Sequence, residues 1–177
     1  MTPETLIIRH CAPTLAGLKS SSLVCLKFAC GDLAGTLARL AAKGVGFRFF
    51  RNAHGCPLLF VYRPWALKRI LSDQRVKGHL SQLGYETENL THCLRTLGRR
   101  LERSSFPHEI GFFLGYPVED VLSFIENGGR GFMHSGMWKM YHDIEGGMRL
   151  ERMFSDCTRC MLDRFDTGVP IEDLCAV

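Results

Sequence analysis

The chain has 177 residues, of which 46% are hydrophobic, 23% charged and 10% aromatic, an ordinary globular composition long enough to bury a core without disulfide or metal staples. No run of 18 apolar residues occurs, which excludes a transmembrane helix, and residues 1–10 lack a basic stretch leading into a long apolar one, so a soluble cytoplasmic domain is expected. The net charge of +4 divides unevenly, with 16 Lys+Arg against 6 Asp+Glu in residues 1–103 and 6 against 12 in residues 104–177, a pattern that fits either an anionic partner for the basic half or two halves that pack together and partly cancel.

Ala12-Pro13-Thr14 to Ser20-Ser21-Ser22 reads as an irregular lead-in. A strand is expected over Ser22 to Ala29, with Val24, Leu26 and Phe28 on one face and Cys25 on the other. Asp32 is placed to cap a helix whose stripe is Leu33, Leu37, Leu40 and Ala41, stopped by Gly44. Val45 to Arg51 and Leu58 to Tyr62 read as antiparallel strands around the turn residues Asn52 to Pro57. Pro64 opens a helix through Trp65, Leu67 and Leu71, and a short helix ends near Leu83-Gly84-Tyr85.

Residues 88–103 carry the plainest helical period, with Leu90, Cys93, Leu94, Leu97 and Leu101 on one stripe. Arg95, Arg99 and Arg103 lie opposite that stripe, with Arg100 on its flank. Beyond residue 104 the pattern gives helices and glycine-rich connections, with no strand. The expected fold is α+β: a small antiparallel sheet with helices in the N-terminal half, then a mainly helical C-terminal half. One domain over 1–177 is expected, with a basic α+β half at about 1–103 and an acidic helical half at about 104–177.

The segment Phe106-Pro107-His108-Glu109-Ile110-Gly111, continuing through Leu114-Gly115-Tyr116-Pro117 to Glu119-Asp120-Val121, resembles the signature of the DUF3793 family. That family groups bacterial proteins of unassigned activity found largely in anaerobic Firmicutes. Leu15-Ala16-Gly17-Leu18-Lys19 and Gly136-Met137-Trp138-Lys139-Met140-Tyr141 support the resemblance, which covers about residues 10–165. Two departures stand out: Gly146-Gly147 replaces an expected helix-friendly alanine, and Met133 and Met137 stand where cysteines are expected. The resemblance implies no fold, activity or cofactor. It does imply genes lying near those of flavodoxins and ferrous-iron transporters, an association with iron or electron-transfer physiology.

Several motifs invite chemistry, and each has a plainer reading. Glu109 to Gly115 and Val118 to Asn127 suit a helix-turn-helix, but Glu119, Asp120 and Glu126 give its second helix the wrong sign for phosphate, and the macrodipole accounts for acids at a helix start. His108 and Glu109 are general acid–base candidates; neighbours on a helix do not face each other, so a first-turn Glu beside a backbone-bonded His is the plainer reading.

Cys157-Thr158-Arg159-Cys160 is the one CxxC among eight cysteines. It falls late in a helix with the stripe Leu150, Met153, Phe154, Cys157, Met161 and Phe165, where the dipole disfavours a thiolate. As metal candidates, Cys157 and Cys160 need further ligands; His134, His142 and Cys175 are nearest in sequence, and His54 and Cys56 form a separate H-x-C candidate. Arg95, Arg99, Arg100 and Arg103 suit an anionic ligand through bidentate forks, and Trp138, Lys139 and Tyr141 suit a pocket wall beside glycines.

No complete catalytic set assembles from these motifs. The leading expectation is a non-catalytic accessory protein that binds an anionic small molecule or an acidic protein, at a site where the basic helix meets the signature segment. On that reading Arg99→Glu weakens binding without unfolding the chain. The rival expectation is a thiol- or metal-dependent redox protein using Cys157, Cys160 and His108. DNA binding is a third reading, and the charges oppose it.

Overall fold

A computed structural model describes residues 1–26, 31–103 and 106–176. The fold is α+β. A three-stranded antiparallel sheet is formed by β1 (Ser21–Cys25), β2 (Gly46–Arg51) and β3 (Pro57–Tyr62), with β3 central. Cys25 pairs with Leu58 across one ladder, and Phe49 pairs with Leu59 across the other. β3 is apolar on both faces because both are covered. Leu58 and Phe60 face one core cluster, whereas Leu59 and Val61 face the other.

On the first face pack α3 (Pro64–Leu71), α4 (Gln74–Gln82), α5 (Leu90–Leu101), α6 (Ile110–Phe113) and α7 (Val118–Glu126). On the second pack α1 (Pro3–Leu15), α2 (Leu33–Ala41), the long α8 (Ile144–Asp166) and a 3₁₀ turn at Ile171–Leu174. The α5 stripe is buried as its period predicts: Cys93, Leu94, Leu97 and Leu101 are enclosed. Asp32 caps α2 by accepting the Gly35 N–H at 2.8 Å, and Gly44 ends that helix at φ +76°. The expected strand at 22–29 ends at Cys25, and Phe28 and Ala29 lie outside the described residues.

Three expectations are corrected. Residues 12–15 are not an irregular lead-in but the last turn of α1, which buries Ile7, Ile8, Cys11, Ala12 and Leu15 completely. A short hairpin, β4 (His134–Ser135) and β5 (Lys139–Met140), interrupts the helical C-terminal half. Met153, placed on the apolar stripe of its helix by period, is 40% exposed. Gly146 and Gly147 do not break α8. Asp143 caps its start by accepting the Gly146 N–H at 2.8 Å, and Gly147 lets the helix approach Met140.

The basic and acidic parts of the sequence interlock. Arg39 pairs with Glu172, Lys43 with Asp173, Arg75 with Glu119 and Arg100 with Glu109. Arg63 joins elements in another way. It is 4% exposed, and its guanidinium donates to the carbonyls of Thr14 at 3.1 Å, Lys43 at 2.8 Å, Ala176 at 2.8 Å and Leu15. One side chain thus satisfies carbonyls at the ends of α1 and α2 and at the chain's C-terminal end.

Candidate functional site

The signature segment folds as the two short helices α6 and α7 joined by a tight turn, the geometry its sequence suggests. Gly115 turns the chain at φ +74°, and a Cβ there would lie 2.6 Å from Ser20 Oγ, so backbone and space both require glycine. The hydroxyls of Ser20 and Ser21 donate to Phe113 O at 2.8 and 2.6 Å, which fastens the turn beside β1. Glu119 and Glu126 are exposed on α7, an unfavourable sign for a phosphate backbone.

Between this helix pair and the β4–β5 hairpin opens a cleft of about 570 Å³, within the size range of small-molecule sites. Ile110, Leu114, Tyr116, Val121 and Phe124 form its helical wall, and Ser135 to Lys139 form the hairpin wall. Phe106 and His108 also line it. Asp120, 3% exposed, ties the two walls together. Its Oδ2 accepts the Trp138 indole N–H at 2.8 Å, and its Oδ1 accepts the Tyr141 backbone N–H at 2.9 Å. Trp138 stacks on Tyr116 with centroids 5.2 Å apart and planes 23° apart. The Lys19 ammonium lies 5.4 Å from the Tyr116 centroid, a cation–π distance. The hairpin turn is held as well, because the Met137 N–H donates to Glu151 of α8.

The residues singled out from sequence fall into separate places. Trp138, Lys139 and His108 line the cleft. Lys139 donates to Gly129 O at 3.0 Å and sits 4.1 Å over the Phe132 ring, while the exposed His108 meets Phe124 edge-on at 5.1 Å. Tyr141 does not line the cleft. Its hydroxyl is enclosed and finds no hydrogen-bond partner among the described residues, and burial and Asp120 push its phenol up.

Glu109 is 3% exposed and engaged away from the cleft: it accepts the Tyr85 hydroxyl at 2.9 Å and the Arg100 Nε–H. Burial, then Glu109, pushes the Tyr85 phenol up, and Glu109 holds Arg100 firmly protonated. The basic helix thus meets the signature segment through the buried Glu109, which faces Arg100 and Tyr85 and does not line the cleft. Arg95, Arg99 and Arg103 are exposed and line none of its walls; Arg99 donates to Thr96, 3.1 Å away on its own helix.

Cys157 packs against the core cluster on the α1 side, whereas Cys160 is exposed. Burial, with Cys160 adding to it, pushes the Cys157 thiol up, which disfavours the nucleophilic thiolate. His108 is at the cleft, so Cys157, Cys160 and His108 do not share one site. Among the described residues no group of three or more His, Cys, Asp or Glu side chains is placed to hold a metal ion. Likewise, no described helix is long and apolar enough to cross a membrane.

Sequence reasoning missed Asp120 as a site residue, because an acid at a helix start already has an explanation in the macrodipole. It also missed Leu114, Tyr116 and Phe124. The available signal was the signature segment itself, since Leu114, Tyr116 and Asp120 all belong to it. The three stretches that carry the family resemblance, 15–19, 106–121 and 136–141, meet where Lys19 and Trp138 lie against the Tyr116 ring. No curated protein and no solved structure matches the chain. A family model described as "Protein of unknown function (DUF3793)" matches residues 7–175, nearly the whole length, and the chain belongs to that family.

Proposed function

We propose that this is a cytoplasmic, non-catalytic accessory protein that binds a small molecule with a flat apolar body and an anionic group, in the cleft between α6–α7 and the β4–β5 hairpin. The observation that carries this reading is the make-up of the cleft. Its walls are aromatic and aliphatic, and Asp120, which lines it, accepts one hydrogen bond on each oxygen and so holds Trp138 and the hairpin. Two donors from the opposite wall give this buried carboxylate a scaffolding role in the cleft. Aromatic walls favour planar ligands. Lys139 and His108 are the basic side chains of the lining, which favours a negative group on the ligand.

The test uses 8-anilinonaphthalene-1-sulfonate, an anionic probe with a flat naphthalene ring, beside its uncharged parent N-phenyl-1-naphthylamine. The sulfonate should saturate one site in the folded wild-type protein and bind the more tightly of the two. Lys139→Glu should weaken the sulfonate by about tenfold, the equivalent of 1.4 kcal/mol, and leave the neutral probe nearly unchanged. Arg99 lies off the cleft, so Arg99→Glu should leave both unchanged, in place of the loss expected from sequence. Weakening by Arg99→Glu but not by Lys139→Glu would move the site to α5 and overturn the proposal.

A further inference from the structure

The cleft makes no use of Cys25 and Cys56. Cys25 closes β1, and Cys56 directly precedes β3. The register sets Cys25 opposite Leu58, and the next pair continues the ladder with Leu26 N–H donating to Pro57 O at 3.0 Å. Cys56 is therefore a diagonal neighbour of Cys25 on the same face of the antiparallel pair, a position from which side chains reach one another. Their sulfurs lie 2.8 Å apart, closer than two sulfurs in ordinary non-bonded contact.

Cys56 is fixed by its turn. Asn52 Oδ1 accepts the N–H groups of His54 at 3.0 Å and Cys56 at 2.9 Å, and Asn52 N–H donates to Cys56 O at 3.1 Å. Cys25 is exposed, whereas Cys56 is 7% exposed. The buried Cys11, Cys93 and Cys175 lie in other surroundings, where burial pushes each thiol up. A pair held by two hydrogen-bonded strands, with one member at the surface, can couple to redox chemistry without rearranging the core.

We propose that Cys25 and Cys56 form a reversible disulfide that fastens the outer end of β1 to the β2–β3 turn, made by exchange with small-molecule disulfides and undone by small thiols. The exposed Cys25 thiolate attacks one sulfur of the small disulfide; that S–S bond breaks, a mixed disulfide forms, and one small thiolate leaves. The Cys56 thiolate then attacks the Cys25 sulfur, forming the internal bond and releasing the second small thiolate. Two electrons pass from the cysteines to the small disulfide, and the two cysteine protons go to the released thiolates through solvent. The bond spans 31 positions in sequence, a loop whose closure raises stability through the unfolded chain.

The test treats the reduced full-length protein with oxidised glutathione and maps its thiols by peptide mass spectrometry. A Cys25–Cys56 cross-link should form first and be reversed by dithiothreitol, with a thermal midpoint about 5–10 °C higher in the oxidised protein. Cys56→Ser should trap glutathione on Cys25, whereas Cys25→Ser should form no bridge to Cys56. Circular dichroism melts of the reduced variants check that each folds, and the wild-type map decides the matter if one does not. Oxidation that appears first on Cys160, a bridge between any other pair, or unmodified Cys25 and Cys56 would overturn the proposal.

Discussion

Asp120 accepts two hydrogen bonds from the opposite wall of the cleft, one from the Trp138 indole and one from the Tyr141 amide. Hydrogen bonds to a charged acceptor are worth about 1.5–3 kcal/mol each, and a donor left buried without a partner carries its full desolvation cost. Asp120→Ala should therefore destabilise the protein by about 3 kcal/mol in urea titration and loosen the hairpin, shifting Trp138 fluorescence to the red. A loss below about 0.5 kcal/mol, within the range of an ordinary surface substitution, would show that Asp120 does not hold the walls together.

Lys19 sets a second expectation at this scale. Burial pushes its ammonium down to about 8, from 10.5 in the open chain, and Cys11 opposes the drop. The folded state penalises the charged lysine fully below about pH 8. The unfolded chain binds more protons between pH 8 and 10.5, so Lys19's contribution to stability rises across that window. Its neighbours Cys11, pushed up to about 12, and Tyr116, also pushed up by burial, stay protonated through most of it. Urea titrations of wild type and Lys19→Met should show their difference moving in favour of wild type from pH 8 to 10.5. A difference independent of pH would place Lys19 in solvent.

At the scale of elements, the sequence made some parts plain and hid others for physical reasons. α5 was legible because one face is buried and the other wet, so its leucines repeat with the helical period. The β2–β3 hairpin was legible from its turn residues. α1 was hidden because it is apolar on nearly every side and carries Pro13 in its last turn; a helix buried all round has no stripe to read. The β4–β5 hairpin was hidden because two-residue strands show no alternation. The cleft was half legible for the same reason: Trp138 and Lys139 stood out as residues, but the hairpin that aims them did not.

Arg63 ties elements together through carbonyls, with no carboxylate partner among the described residues. Burial pulls its guanidinium below the usual range, so the charge carries a cost that four carbonyl contacts offset. Arg63→Met leaves these buried carbonyls short of donors at about 1 kcal/mol or more each. The expected loss is about 3 kcal/mol in thermal or urea unfolding, with Arg63→Lys restoring part of it. A neutral Arg63→Met would mean that other groups or water satisfy the carbonyls.

For the molecule as a whole, the opposed charges of the two sequence halves are partly spent on each other, through Arg39–Glu172, Lys43–Asp173, Arg75–Glu119 and Arg100–Glu109. Most such exposed pairs are worth under about 1 kcal/mol, so they shape the field more than the stability. They also weaken the case for a basic face held open to an anionic partner, since Arg100 is already committed to buried Glu109. Helices on both faces of a three-stranded sheet leave the α6–α7 turn and the small hairpin as the site of the apolar cleft. The most direct measurement is a ¹H–¹⁵N NMR titration of the labelled protein with 8-anilinonaphthalene-1-sulfonate. The account predicts saturable shift changes concentrated at Leu114, Tyr116, Phe124 and 135–139, including the Trp138 indole N–H, with little change at Arg95, Arg99 and Arg103. Changes centred on α5, or scattered without saturation, would contradict it.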